Sequence, residues 1–390
     1  MYKVKLLNNI KSSKLELLDS SKYEVSAEME NPDALMLRSA KLHDMEFNKE
    51  LLCIARAGAG VNNIPIDRCA EEGIVVFNTP GANAEAVKEL VICALFLSSR
   101  DIISGIEWVT GVADKGDEIP SMVEKQKAKY GGSEIMGKTL GVIGLGAIGA
   151  KIAEAALALG MNILGYDPYL PDQAAKLLPS KVEVVEDINE IYKRSEYISL
   201  NVPYMEKTKN FINKETISKM KQGVKIINAA RAELVNDDDM ILAIKSGQVS
   251  TYVTDFPNAK TAAVKGIIAI PHLGASTLES EDNCVCMAAQ EIIEYIENGN
   301  ITNSVNFPKA VLPRTAGYPR ICIIYDNDPE FVSKLTSELS SFGANVENML
   351  NAGAKAKNMA YIMLDILEIP NGLTEAIAKI ERVLKVRILP

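Results

Sequence analysis

The sequence predicts an α/β chain: two doubly wound parallel-sheet domains followed by a small α+β domain of βαββαβ order. Three observations predict it. Short β-branched runs alternate with polar, helix-compatible stretches in two successive series. A glycine-rich strand-to-helix turn opens the second series, and a proline-bearing stretch at 300–319 sets both series apart from the tail. The 390 residues suit two to three domains of about 150 residues each.

In the first series the strand-like runs are VKLL (4–7), ALMLR (34–38), LLCIARAG (51–58) and IVVF (74–77). Their alternation with polar segments is the pattern of βαβ units. A long helix is expected over 84–108, apolar nearly all round its middle and therefore buried. The second series reads TLGVIG (139–144), NILGY (162–166), YISLNV (197–202), KIINAA (225–230), STYVTDF (250–256) and GIIAIPH (266–272). Six strands in this alternation predict an open sheet of the dinucleotide-binding, Rossmann-like type. Pro308, Pro313 and Pro319 make 300–319 a linker. The tail reads strand 320–325, helix 329–342, strands 345–352 and 360–366, helix 374–380 and strand 383–389.

Composition narrows the function. Forty-two basic against 51 acidic residues give a net charge of −9, which argues against nucleic acid and anionic membrane surfaces as partners. The apolar run Leu90–Leu97 is far shorter than the roughly 20 residues that span a bilayer, and the N-terminus lacks a signal-peptide pattern, so a cytoplasmic setting is expected. The six cysteines form no CxxC and sit mostly among aliphatic residues, which reads as reduced, buried thiols with no metal site.

Gly144-Leu-Gly146-Ala147-Ile148-Gly149 is the strongest local signal. It follows an apolar strand and opens a helix, so its glycines allow a tight turn, close backbone approach to a diphosphate, and close helix–strand packing. Asp167 ends the next strand, where a carboxylate accepts ribose hydroxyls and repels a 2′-phosphate. NAD is the expected cofactor.

Only two histidines are present, His43 and His272. His43 lies in the polar stretch KLHDME and reads as a surface residue, whereas His272 follows GIIAIP at a carboxyl-end strand tip. Imidazole there suits proton exchange with an alcohol that loses hydride. Arg231, at the tip after KIINAA, can grip a carboxylate bidentately. Arg56, in IARAGAGVNNI, is the corresponding strand-tip arginine of the first domain; a salt-bridged loop role is the alternative.

The combination of GLGAIG (144–149), YDP (166–168), INAAR (227–231) and PHLGAST (271–277) resembles the D-isomer-specific 2-hydroxyacid dehydrogenases. RAGAGVNNI (56–64) and NTPGANAEAVKEL (78–90) fit the same family, and the tail resembles a regulatory ACT domain. The resemblance implies that His272 is the acid/base and Arg231 the substrate clamp, with Arg56, Ala57 and Gly58 holding substrate from the first domain. It implies NAD contacts at Gly144, Gly146, Ala147, Ile148, Gly149, Asp167, Thr79, Ala229, Ala230, Asp255, Gly274 and Ala275. Lys41, or Arg38 before it, either meets a substrate phosphate or is a solvated charge. The implied reaction is NAD-dependent oxidation of 3-phospho-D-glycerate. Alternatives are a glyoxylate, hydroxypyruvate or lactate type of substrate, or a non-enzymatic NAD-binding corepressor. A homo-oligomer, dimer or tetramer, is also implied. The corresponding domain limits are 1–98 with 282–308 for substrate, 99–281 for NAD, 309–318 as linker and 319–390 as tail.

The chain departs from the family pattern in two places. Family members place a glutamate after the motif at Asp255 to partner the histidine, and here Ala259-Lys260 occupies the expected positions. Without that carboxylate, His272 is expected to serve better as proton acceptor in oxidation than as donor in reduction. In the tail, Asn327 and Asn345 match places that contact an L-serine effector, but Tyr325 replaces a common histidine and Glu330 a common glycine. Serine binding and simple dimerisation both remain open for this domain.

Overall fold

Four of the predicted runs, and one segment not predicted, build the first sheet. Its strands are β1 (Tyr2–Leu7), β2 (Tyr23–Ser26), β3 (Ala34–Leu37), β4 (Cys53–Arg56) and, after helix α1 (Ile66–Glu71), β5 (Val75–Asn78). The computed structural model describes residues 1–8, 10–354 and 359–390. All pairings in this sheet are parallel, in the order β2-β1-β3-β4-β5. Every residue of β3 is buried, as a central parallel strand covered on both faces requires. The unpredicted β2 is a polar edge strand whose only buried residue is Tyr23, so it carries no apolar run to betray it.

The long helix expected over 84–108 is two helices. α2 (Ala84–Ser99) stops because Arg100 is extended, and the Ser98 and Ser99 hydroxyls bond back to the carbonyls of Leu95 and Phe96. α3 (Ile102–Gly111) restarts with no buried residue, and α4 (Ile119–Gln126) follows. Then come β6 (Thr139–Ile143), α5 (Ala147–Ala158), β7 (Asn162–Tyr166), α6 (Asp172–Ala175), β8 (Val182–Val184), α7 (Ile188–Arg194) and β9 (Tyr197–Leu200). α8 (Lys214–Ser218), β10 (Val224–Asn228), α9 (Asp237–Ser246), β11 (Val249–Thr254) and β12 (Ile267–Ala269) complete the series. The sheet order is β12-β11-β10-β9-β6-β7-β8, all parallel. All six predicted strands are present, and the seventh, β8, is a three-residue edge with one buried residue. The strand order reverses between β6 and β9, so loops leave their carboxyl ends in opposite directions and open a crevice there.

α10 (Leu278–Asn298) leads to the tail: β13 (Arg320–Asp326), α11 (Phe331–Ser341), β14 (Val346–Ala354), β15 (Met359–Ile366), α12 (Leu373–Ala378) and β16 (Val383–Leu389). This is the expected βαββαβ order, folded as an antiparallel sheet β14-β15-β13-β16.

The chain divides into one unit of Met1–Ala82 with Glu281–Pro390 and another of Asn83–Ser280. α2 thus groups with the second unit, whereas the expected limit at 98/99 placed most of it with the first. The reason is packing: Val87, Val91, Ala94 and Leu95 of α2 share a core with Leu140, Ile152, Ala153 and Ala156. The tail groups with the first unit and packs on both faces of its sheet. Along β13, Ile321, Ile323 and Tyr325 face α11 and α12, while the alternate residues Cys322 and Ile324 join a cluster with Val4, Phe77, Ile292 and Tyr295.

A buried ion pair ties the tail to the preceding segment. Arg320 and Asp365, both fully buried, form a bidentate pair at 2.6 and 2.9 Å. The same guanidinium donates to the carbonyls of Asn298, Leu312 and Pro313. Burial alone would raise the Asp365 pKa, but hydrogen bonds from Arg320 and Thr315 outweigh it and leave the carboxyl lowered. Glu291 of α10 has no such cation. It is 4% exposed, accepts one hydrogen bond from Asn303 at 2.7 Å, and burial pushes its pKa up to about 8.

Asp365→Ala strands a buried guanidinium and is expected to cost about 3–5 kcal/mol in urea unfolding, whereas the apolar pair Arg320→Met/Asp365→Leu recovers most of that loss. Glu291 binds its proton more tightly when folded, so its contribution is full below the unfolded value of 4.5 and is lost as pH rises towards about 8. Melting curves should therefore show stability falling across that range, and Glu291→Gln should flatten the fall.

Candidate functional site

The second unit gathers most of the predicted residues along one edge of its sheet. Gly144 has φ +90°, and a Cβ there would lie 2.6 Å from the Asn201 carbonyl. A Cβ on Gly149 would lie 1.8 Å from the Gly144 carbonyl, so the loop closes only with glycine at both places. At Gly146 a Cβ would meet nothing, leaving open space in front of the turn. Gly146 caps α5 without a side-chain acceptor, so the first-turn amides around Ala147 and Ile148 remain available to an anion. A cavity of about 400 Å³ opens beside them, lined by Leu145, Ala147, Asp167, Tyr169, Pro171 and Leu178 among others. Asp167 is half-buried; its oxygens accept from the amides of Leu145 (3.0 Å) and Tyr169 (2.9 Å). Amides, open space and a carboxylate at the next strand end fit a dinucleotide.

The reactive residues sit on loops braced from below. Arg231 follows β10, and the buried Asn228 side chain organises that turn. The Asn228 Oδ1 accepts the amides of Ala230 (3.1 Å) and Arg231 (3.3 Å), while its Nδ2 donates to the Arg231 carbonyl (2.8 Å) and to Tyr252 Oη (3.2 Å). The Arg231 guanidinium donates to the Ala230 carbonyl at 2.6 Å, and Ala229 lies half-buried against the apolar core.

His272 is exposed, with φ +53°, a left-handed backbone that an L residue adopts at some cost. Asp255, 2% exposed at the end of β11, holds that turn by accepting from Leu273 N (2.7 Å) and Gly274 N (2.8 Å). Burial raises the Asp255 pKa against the lowering effect of those amides and of His272 nearby. The imidazole packs on Phe256, with ring centroids 4.9 Å apart. Among the described residues no hydrogen bond joins it to a carboxylate. Ala259 is exposed and Lys260 pairs with Asp238 at 2.8 Å, so the expected glutamate position is spent elsewhere. Gly274 is buried and Ala275 half-buried.

The first unit carries the other candidates at the carboxyl ends of its own strands. Arg56 ends β4, and its Nε donates to the Arg38 carbonyl at 3.0 Å. Arg38 pairs with Glu281. Ala57 is buried, and Gly58 (φ +154°) takes Thr79 N on its carbonyl at 3.2 Å. Thr79 is fully buried with its hydroxyl unpartnered. Lys41 and His43 are exposed, and the Lys41 loop is held by Asn8, whose Oδ1 accepts from Ser39 and Ala40.

In the tail, Asn327 lies past the end of β13, close to Gly353 at the end of β14, whereas Asn345 precedes β14. β13 and β14 both run antiparallel to β15, so the two asparagines sit at opposite ends of the sheet, roughly 25 Å apart. Within one chain they do not form a common pocket. Tyr325 is buried, stacked on Phe331 at 3.8 Å and bonded to Asn351 at 2.9 Å. Sequence reasoning missed Asn228 as a brace; the INAAR string held the signal, since an asparagine two residues before a turn amide favours this bond.

Comparison with known proteins agrees with this geometry. Residues 100–276 match the family described as D-isomer specific 2-hydroxyacid dehydrogenase, NAD binding domain. A hydroxypyruvate reductase of Thermotoga maritima is 38% identical over 261 residues, 64% of this chain and 80% of that protein. A D-3-phosphoglycerate dehydrogenase of Methanocaldococcus jannaschii is 31% identical over 349 residues, 86% of this chain but only 63% of that longer protein. The solved NAD+-bound 3-phosphoglycerate dehydrogenase of Entamoeba histolytica superposes with a TM-score of 0.62 at 26% identity, covering 78% of this chain and 98% of that one. The likeness to the Thermotoga protein runs over four-fifths of that relative. The chain belongs to the D-isomer-specific 2-hydroxyacid dehydrogenase family.

Proposed function

We propose that this chain is an NAD-dependent D-3-phosphoglycerate dehydrogenase, oxidising 3-phospho-D-glycerate to 3-phosphohydroxypyruvate, the first step of L-serine biosynthesis. The observation that carries the reading is an exposed imidazole after β12 and a guanidinium after β10, at the carboxyl ends of strands in one dinucleotide fold, in a chain whose match to the Methanocaldococcus enzyme extends over 86% of its length. In the forward direction His272 takes the hydroxyl proton as the C2 hydride leaves. Arg231 fixes the C1 carboxylate and polarises the developing carbonyl. Bound NAD supplies the hydride acceptor. Ala147 and Ile148 amides, with Gly144, Gly146 and Gly149, would seat its diphosphate, and Asp167 its ribose; Thr79, Ala229, Ala230, Asp255, Gly274 and Ala275 are the remaining proposed contacts. Arg56, Ala57, Gly58 and Lys41 are proposed to contribute to substrate binding.

A homo-oligomer and a cytoplasmic setting belong to the same proposal. An L-serine site using Asn327 and Asn345 would require two chains, because one chain keeps them apart. A second reading, reduction of hydroxypyruvate or a similar small keto acid, is favoured by the 38% identity to the Thermotoga reductase.

Steady-state rates with 3-phospho-D-glycerate, D-glycerate and D-lactate decide between them: a kcat/KM highest for the phosphorylated acid supports the proposal, and preference for D-glycerate overturns it. His272→Asn should lower kcat by roughly 10²- to 10⁴-fold with NADH binding retained. NADH binding without any keto-acid turnover in the unmodified chain would point to the corepressor reading. Asn228→Ala, which frees the Arg231 turn, is expected to lower kcat/KM roughly tenfold or more while NADH affinity holds, as measured by fluorescence titration.

A further inference from the structure

The nucleotide fold carries a contact that substrate chemistry does not use. Tyr169, in the loop after β7, lines the cavity beside Asp167 and is 69% exposed. Lys207, in the loop after β9, places its Nζ 4.4 Å from the Tyr169 ring centroid and donates a hydrogen bond to the Tyr169 hydroxyl. In the sheet β6 lies between β7 and β9. Strands are spaced about 4.8 Å apart, so these two loops are separated by roughly 10 Å with the tip of β6 between them. A bond joining them has to pass over that tip, which is the Gly144–Gly149 turn.

The anchors on both sides are fixed. Asp167 accepts the Tyr169 amide at 2.9 Å, tying the aromatic residue to the carboxylate proposed for ribose. On the other side Thr208, beside Lys207, is 9% exposed, and its hydroxyl accepts from Met205 N at 2.7 Å and donates to the Pro203 carbonyl at 2.9 Å. Both ends of the contact are therefore held by backbone brackets, while the lysine and the aromatic ring are free to part at the surface.

We propose that Tyr169 and Lys207 form a clasp that retains the adenosine half of the dinucleotide by bridging the mouth of its cleft. The inference rests on the nucleotide reading above. The ring supplies an apolar wall, and the ammonium, attracted to the ring face, keeps that wall in place. A nucleotide must leave past this contact, so the clasp acts on dissociation more than on chemistry.

The test is stopped-flow release of NADH from the full chain, chased with excess NAD and followed by NADH fluorescence. Lys207→Ala and Tyr169→Ala should each speed release by roughly two- to fivefold, the range expected of an exposed cation–π contact, and Lys207→Arg should stay near the unmodified rate. ADP-ribose affinity should fall in the same variants, while that of nicotinamide mononucleotide, which has no adenosine, should not. Unchanged release rates, or equal losses for both half-ligands, would overturn the clasp alone. Failure of the unmodified chain to bind NADH would overturn the nucleotide reading and the clasp with it.

Discussion

Short polar side chains at the ends of strands are the constraint on which the active loops depend. A parallel strand delivers its backbone to the sheet edge and then stops, and the following amides need acceptors. Asn228 and Asp255 supply them at the Arg231 and His272 turns, Asp167 at the phosphate loop, and Asn8 at the 38–40 loop of the first unit. Each bracket consumes side-chain acceptors that could otherwise face a ligand. Asp255 shows the consequence: with both oxygens committed to loop amides, its role in holding the backbone of His272 comes before any contact with a cofactor.

These brackets also explain how the imidazole is placed without the expected carboxylate. The left-handed His272 is tolerable because Asp255 pins the two residues after it, and Phe256 limits the ring from the side. Orientation is therefore supplied by packing and by the backbone.

Much of this was legible from residues alone. Strands with continuous apolar runs, the GLGAIG turn, Asp167, Arg231 and His272 declare themselves because their chemistry and their position in the strand–loop alternation coincide. The misses have physical causes. β2 and β8 are short edges with little to bury, and the break after Ser99 lies in serine back-bonds that apolar periodicity does not register. Asn228 was hidden because its work is done on the backbone. The tail's internal pattern is complete in the sequence, and the second face of its sheet is apolar as well. Only the three-dimensional neighbours of Cys322 and Ile324 reveal what that face covers.

That doubly covered sheet has a consequence for how the chain comes into being. The first unit is assembled from residues at opposite ends of the polypeptide, with Val4 and Leu389 in one cluster. The middle of the chain, 83–280, is a continuous segment and can close on itself as soon as it has been made. The opening strands must wait, their inner faces uncovered, until the last strand has left the ribosome. Such a protein is synthesised with its oldest segment finished last, and the interval in between is when a chaperone has most to protect.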